Sequence, residues 1–273
     1  LASAYRGADD YSLTTRNDII PAPLCQAGGA IHFASAVRRL TPRRRDIIII
    51  ERINAVYAVG LEVCMYDRIT LPNGARVVFE RMDGVRSVSL GIWIGAGSRF
   101  ERAEEGGSAH FIEHMLFKGT EKRSAAQLAE ETDALGGQMN AYTTRDNTCF
   151  YTRVLDTHLG RAADVLADMF VNSRFDEADV ASEKGVILEE IDMYEDTPED
   201  VAAEMLLHNC FPGALGRPVL GTAESLSGLT GASLREFRDR IYTAPRIAAA
   251  LAGSFTDADV DSIASIFAAM PAA

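Results

Sequence analysis

Apolar positions change period along the chain, and the changes mark out elements. Residues 69–71 and 76–81 alternate in strand fashion on either side of Pro72-Asn73-Gly74, a hairpin turn signal. Residues 88–94 read as a buried strand, and 138–144, 148–155 and 247–254 as further strands. Helical spacing appears at 107–117, 124–135, 157–172, 176–194, 198–209, 231–242 and 257–270. Ser124 stands where an N-cap belongs. In the 157–172 helix, Leu159, Leu166, Met169 and Phe170 fall toward a core. In the 176–194 helix, Val180, Ile187, Ile191 and Tyr194 form an apolar stripe. Strands and helices that do not strictly alternate predict an α+β fold. No internal repeat is present.

The helix at 107–117 carries the chemistry. It contains His110-Phe111-Ile112-Glu113-His114, the H-x-x-E-H order. Histidines four apart share one helix face, so both imidazoles can reach one metal ion. A shuffled chain of this length would show the pattern on the order of 1% of the time. Phe111, Ile112, Met115, Leu116 and Phe117 surround the polar triplet, so the helix is expected to be largely buried. Buried polar groups need partners, and a metal supplies them. Zinc accepts imidazole nitrogen and carboxylate oxygen, and a catalytic zinc keeps one position open. Glu113 is then expected to be the base that takes a proton from water.

Two histidines leave such a site one protein ligand short. His32, His158 and His208 each stand without a metal-type partner nearby in sequence. Acidic candidates crowd into 176–204. Glu183 and Glu190, seven apart, lie nearly in line beside the apolar stripe, whereas Glu189 is turned about 100° from Glu190. Spacing favours Glu183 or Glu190 over Glu189 and does not rank those two.

At this point the chain resembles the insulinase-like (pitrilysin) zinc metallopeptidases, most closely the processing-peptidase branch. The resemblance rests on Gly95-Ala96-Gly97-Ser98-Arg99, on 109–120 around the histidines, on Gly136-Gly137-Gln138-Met139-Asn140-Ala141-Tyr142-Thr143, on 183–190, and on 215–222. It runs from about residue 65 to about 270. It implies a mixed, largely antiparallel sheet packed with helices, the LuxS/processing-peptidase-like fold. It implies a single zinc ion held by His110, His114 and Glu190, with Glu183 in an outer shell that holds the geometry. It implies that the strand with Asn140, Ala141 and Tyr142 lies along an extended peptide substrate, with backbone bonds giving affinity independent of sequence. Members of the family carry two such domains in tandem that close like a clamshell, so a second homologous domain or chain is the expected partner. The resulting expectation is a zinc metalloendopeptidase acting on extended peptides or presequence-like segments. The alternatives are a non-catalytic peptide-binding partner subunit and an inactive truncated half-enzyme.

Charge divides the chain unevenly. Residues 1–64 hold 8 basic and 6 acidic residues, a net of +2, while the remainder holds 19 and 33, a net of −14. Met65 directly precedes the first strand of the resemblance. Residues 1–64 are therefore expected to be an N-terminal extension, poorly ordered or not native, and 65–273 the zinc-peptidase N-terminal domain. The overall net charge of −12 speaks against a nucleic-acid partner, which a basic patch would mark. No apolar run reaches the length of a membrane span. Cys25, Cys64, Cys149 and Cys210 are widely spaced without a C-x-x-C pair, so reduced thiols and a bacterial-type cytoplasmic location are expected.

Overall fold

Every second side chain of the central strands is buried, and this alternation builds the sheet. The computed structural model describes residues 37–38, 49–55 and 64–272. Val88, Leu90, Ile92 and Ile94 are buried along one strand (Ser87–Ile94), and Thr148, Phe150, Thr152 and Val154 along another (Thr148–Leu155). Of the intervening positions Ser89, Trp93, Tyr151 and Arg153 are more open, while Gly91 and Cys149 are also buried.

Among the described residues eight strands form the sheet. In chain order they are β1 (Val37–Arg38), β2 (Ile49–Ala55), β3 (Cys64–Thr70), β4 (Arg76–Arg81), β5 (Ser87–Ile94), β6 (Gln138–Thr143), β7 (Thr148–Leu155) and β8 (Ile247–Gly253). Their spatial order is β1-β2-β3-β4-β8-β5-β7-β6. Among the described strands only β4 and β8 pair in parallel, and all other neighbours are antiparallel. The fold is thus α+β with a mixed, largely antiparallel sheet, as expected. Most of the expected 1–64 extension lies outside the described residues. Strand β2 falls within it and pairs with β3 from Ile49↔Thr70 to Ala55↔Cys64.

The helices are α1 (Ser108–Met115), α2 (Ala125–Ala134), α3 (Leu159–Asn172), α4 (Glu177–Glu195), α5 (Pro198–Cys210), α6 (Ala223–Gly228), α7 (Gly231–Ile241) and α8 (Asp257–Ala268). Ser124 caps α2 as its sequence predicts, accepting from the Gln127 N–H while Gln127 reaches back to the Ser124 N–H. Leu159, Leu166, Met169 and Phe170 are buried on α3. Two features differ from the expectation. Helix α6 is too short to show a period, and only its Thr222 cap marks it. Tyr194, placed in the apolar stripe of α4, is 42% exposed. Only Val180, Glu183 and Ile187 of α4 are buried, because its last turns run past the core.

Helix α1 packs against β6, β7, α4 and α7. Its start is fixed by Gly107, whose φ of 89° suits glycine and where an added Cβ would stand 2.6 Å from the Leu220 carbonyl oxygen. The buried Glu101 carboxylate accepts from the N–H groups of Gly107 (2.9 Å) and Ala109 (2.8 Å). These are free donors of a helix N-terminus. Burial pushes the Glu101 carboxyl up to about 7 against those two bonds.

Candidate metal centre

One turn of α1 presents both imidazoles to the same point. The Nε2 atoms of His110 and His114 are 3.3 Å apart. Glu190 on α4 brings its Oε2 to 3.6 Å from each of them. Four ligands at about 2.0–2.1 Å around a tetrahedral zinc stand about 3.3 Å from one another. The three atoms therefore already have nearly the spacing of one face of that tetrahedron. Among the described residues this is the one His/Cys/Asp/Glu group close enough to hold a metal. The donor types, two imidazoles and a carboxylate, fit zinc.

The protonation pattern agrees. His114 Nδ1 lies 2.8 Å from Glu183 Oε1. Burial raises the Glu183 carboxyl, but Lys118 and His114 overcome this and hold it below the ordinary carboxylate range. An ionised carboxylate only accepts, so Nδ1 carries the proton and the Nε2 lone pair faces the site. Burial, aided by the neighbouring His114 ring, lowers His110 to about 4, which leaves it neutral. Its Nδ1 is buried without a hydrogen-bond partner.

Glu113 points into the same space from between the histidines. Its Oε2 accepts from the Thr143 hydroxyl at 2.6 Å. Burial raises its pKa, opposed by Thr143 and His114 and reinforced by Glu190. A raised pKa suits a group that must both take and return a proton near neutral pH.

A cleft of about 580 Å³ opens over the site, lined among others by His110, Glu113, Glu190, Tyr142 and Tyr194. Strand β6 forms one wall. Among the described strands it is the outermost on its side and pairs only with β7. Of the expected substrate residues, Ala141 and Tyr142 line the cleft and Asn140 does not. The Asn140 side-chain oxygen instead accepts from the Ala141 N–H at 2.9 Å. Arg145, just past β6, holds Glu204 of α5 with bonds of 2.9 and 2.8 Å and donates to the Leu215 carbonyl.

His110, Glu113, His114, Glu183 and Glu190 are thus gathered at one place. Sequence reasoning overlooked Glu101 and Arg145; it placed Thr143 in the substrate strand and Lys118 in the histidine motif but foresaw neither the Thr143–Glu113 nor the Lys118–Glu183 contact. For these two contacts a signal existed: Lys118 follows His114 by four residues, and Thr143 shares a strand face with Ala141. Nothing in the spacing of Glu101 or Arg145 marks either residue.

Two helical histidines, a carboxylate between them and a second carboxylate from a distant helix form a cluster of the H-x-x-E-H type whose donors could hold a metal. The model for Insulinase (Peptidase family M16) matches residues 76–223, and the chain belongs to that family. It is 46% identical over 204 residues to the uncharacterized zinc protease YmxG of Bacillus subtilis (strain 168), covering 74% of this chain and 50% of that protein. It is 42% identical over 192 residues to a probable mitochondrial-processing peptidase subunit beta of Arabidopsis thaliana, covering 70% and 36% respectively. A crystal structure of a peptidase M16 inactive domain from Pseudomonas fluorescens superposes with a TM-score of 0.71 at 22% identity, over 76% of this chain and 51% of that one. At that identity the likeness concerns the fold alone. The chain spans half or less of the length of these curated relatives. Among the described residues no helix is long and apolar enough to cross a membrane.

Proposed function

We propose that this chain is the metal-bearing half of a zinc metalloendopeptidase that hydrolyses extended or presequence-like peptides. The observation that carries the reading is the convergence of His110, His114 and Glu190 at tetrahedral-edge spacing, with Glu113 beside them. A zinc ion bound there would supply Lewis acidity toward a water and a peptide carbonyl oxygen. Glu113 takes the proton of that water on Oε1, since Oε2 is engaged by Thr143. The water oxygen so deprotonated adds to the peptide carbonyl carbon, and Glu113 delivers the proton to the amine nitrogen as the C–N bond breaks. Glu183 keeps His114 in the tautomer that offers Nε2. The outer edge of β6 takes the peptide as an added strand, with Ala141 and Tyr142 toward the cleft.

The proposal includes a second homologous domain or chain that closes over this cleft. The part-length match to the relatives supports it. The domain proper is proposed to be 65–273, with 1–64 an extension. A cytoplasmic location is consistent with Cys149 and Cys210 as free thiols.

The test is peptide cleavage by the zinc-loaded chain, alone and mixed with a second-half chain. Cleavage that Glu113→Gln abolishes while zinc is retained supports the enzyme. Cleavage by the Glu113→Gln variant at the normal rate contradicts the base assignment. Zinc binding with no cleavage in either mixture favours a non-catalytic or inactive half.

A further inference from the structure

Glu183 is 4% exposed, and its two carboxylate oxygens have different partners. Oε1 faces His114 Nδ1 at 2.8 Å, and Oε2 faces Lys118 Nζ at 2.5 Å. The geometry points to Lys118 as a positioning residue of the metal centre: its ammonium fixes the Glu183 carboxylate, which in turn aims His114 at the ion. The inference rests on the zinc reading above and extends it outward by one residue.

A single histidine N–H cannot fix a carboxylate. With one oxygen held, the group still turns about its terminal bond, and either oxygen can serve as the acceptor. A second donor on the other oxygen removes that freedom. A buried carboxylate oxygen left without a donor also carries the full cost of its lost hydration. Lys118 meets both needs. Its side chain is 36% exposed, so the ammonium keeps part of its own hydration while it serves a buried partner.

The lysine is held to this task by its backbone. Its N–H donates to the Met115 carbonyl at 3.1 Å, extending the end of α1 by a turn. The residues that follow are clamped on both sides by β-bridges, Gly119↔Ser124 and Thr120↔Ser173. The Thr120 hydroxyl donates to the buried Asp168 at 2.7 Å, and Asp168 also accepts from Arg123 and Asn172. The stem of Lys118 therefore starts from a fixed point, unlike that of a surface lysine on a free loop. Helix α1, the clamped turn and α4 form a closed circuit: His114, Glu183, Lys118 and back to His114 along the chain.

The test measures the apparent zinc dissociation constant of the full chain by competition with a chromophoric chelator at neutral pH. It compares wild type, Lys118→Met, Lys118→Arg, Glu183→Gln and the Lys118→Met/Glu183→Gln double variant. Outer-shell partners typically change affinity 10- to 100-fold, so Lys118→Met is expected to weaken zinc about 10-fold. Lys118→Arg keeps the charge and a donor, and is expected to stay within about 3-fold of wild type. In the Glu183→Gln background, Lys118→Met is expected to add nothing, because the lysine acts only through that carboxylate. A general loss of structure would weaken zinc in both backgrounds and would lower the melting temperature of the metal-free chain. If Lys118→Met does not fold without metal, Lys118→Gln takes its place on the same criteria. Unchanged affinity in the lysine variant, or weakening that persists without Glu183, overturns the inference. A wild-type chain that takes up no zinc overturns the zinc reading as well, so the two failures are distinct.

Discussion

The Thr143 hydroxyl donates to Glu113 Oε2 across 2.6 Å, joining the last residue of β6 to the carboxylate between the two histidines. The strand proposed to receive the peptide and the group proposed to move the proton are thereby one mechanical unit. Thr143 also lies 3.3 Å from the Thr148 hydroxyl on β7, so the contact is braced from behind.

Thr143→Val removes the hydroxyl and keeps the shape. In the complete two-half assembly, kcat is expected to fall at least about 10-fold with KM nearly unchanged, as for a group that acts on the chemical step. Thr143→Ser is expected to recover most of the rate. Steady-state kinetics on one peptide checks both, and equal kcat for the valine variant and wild type contradicts the role.

His110 gives the metal-free chain a definite pH dependence. Its folded pKa, about 4, lies below the ordinary 6.5, so between those values the unfolded chain binds more protons. Stability from this group is fully present above about pH 6.5 and is lost as pH falls toward 4. The loss is on the order of 3 kcal/mol over the window. Urea titrations of wild type and His110→Asn at several pH values measure it. The difference between the two is expected to shrink as pH falls, and a constant difference contradicts the burial account.

Gly107→Ala is expected to destabilise the chain by about 2–3 kcal/mol, since it strains a left-handed residue and drives a Cβ into the Leu220 carbonyl. For a chain of this size that corresponds to a fall of roughly 4–12 °C in melting temperature. Thermal unfolding followed by circular dichroism reads it. Gly136→Ala, which shares a positive φ but meets no neighbouring atom, is the comparison and is expected to cost less.

Limited proteolysis addresses the proposed boundary. A stable product starting near residue 65 is expected, with residues 1–64 removed first. Protection of the 49–55 strand together with β3, its pairing partner, would extend the domain in the N-terminal direction.

Much of this site was legible in the residues, and the reasons are physical. The i, i+4 spacing of His110 and His114 fixes their common direction on any helix, so their convergence needed no tertiary information. Placing Glu183 and Glu190 on the inner side of α4 and Glu189 outside followed from the same geometry, and Glu189 is exposed. Ranking the two inner glutamates needed more. It depends on how far α4 slides past α1, which no local pattern records, and the family resemblance supplied the order. Lys118, Thr143 and Glu101 act through contacts between elements remote in sequence, or through a turn whose path only the packed chain defines. The strand and helix positions read well where a period was long enough to see. Helix α6 did not, because its six residues show less than two turns. Tyr194 was misplaced because a stripe predicts facing but not where the core ends.

The claim on which the rest depends is that His110, His114 and Glu190 hold one ion. Equilibrium dialysis of the purified chain against zinc, with metal content read by mass spectrometry, tests it most directly. One zinc per chain is expected, retained in Glu113→Gln and lost or greatly weakened in His114→Ala and Glu190→Ala. A chain that binds no zinc, or a Glu190→Ala variant that binds it as tightly as wild type, contradicts the account.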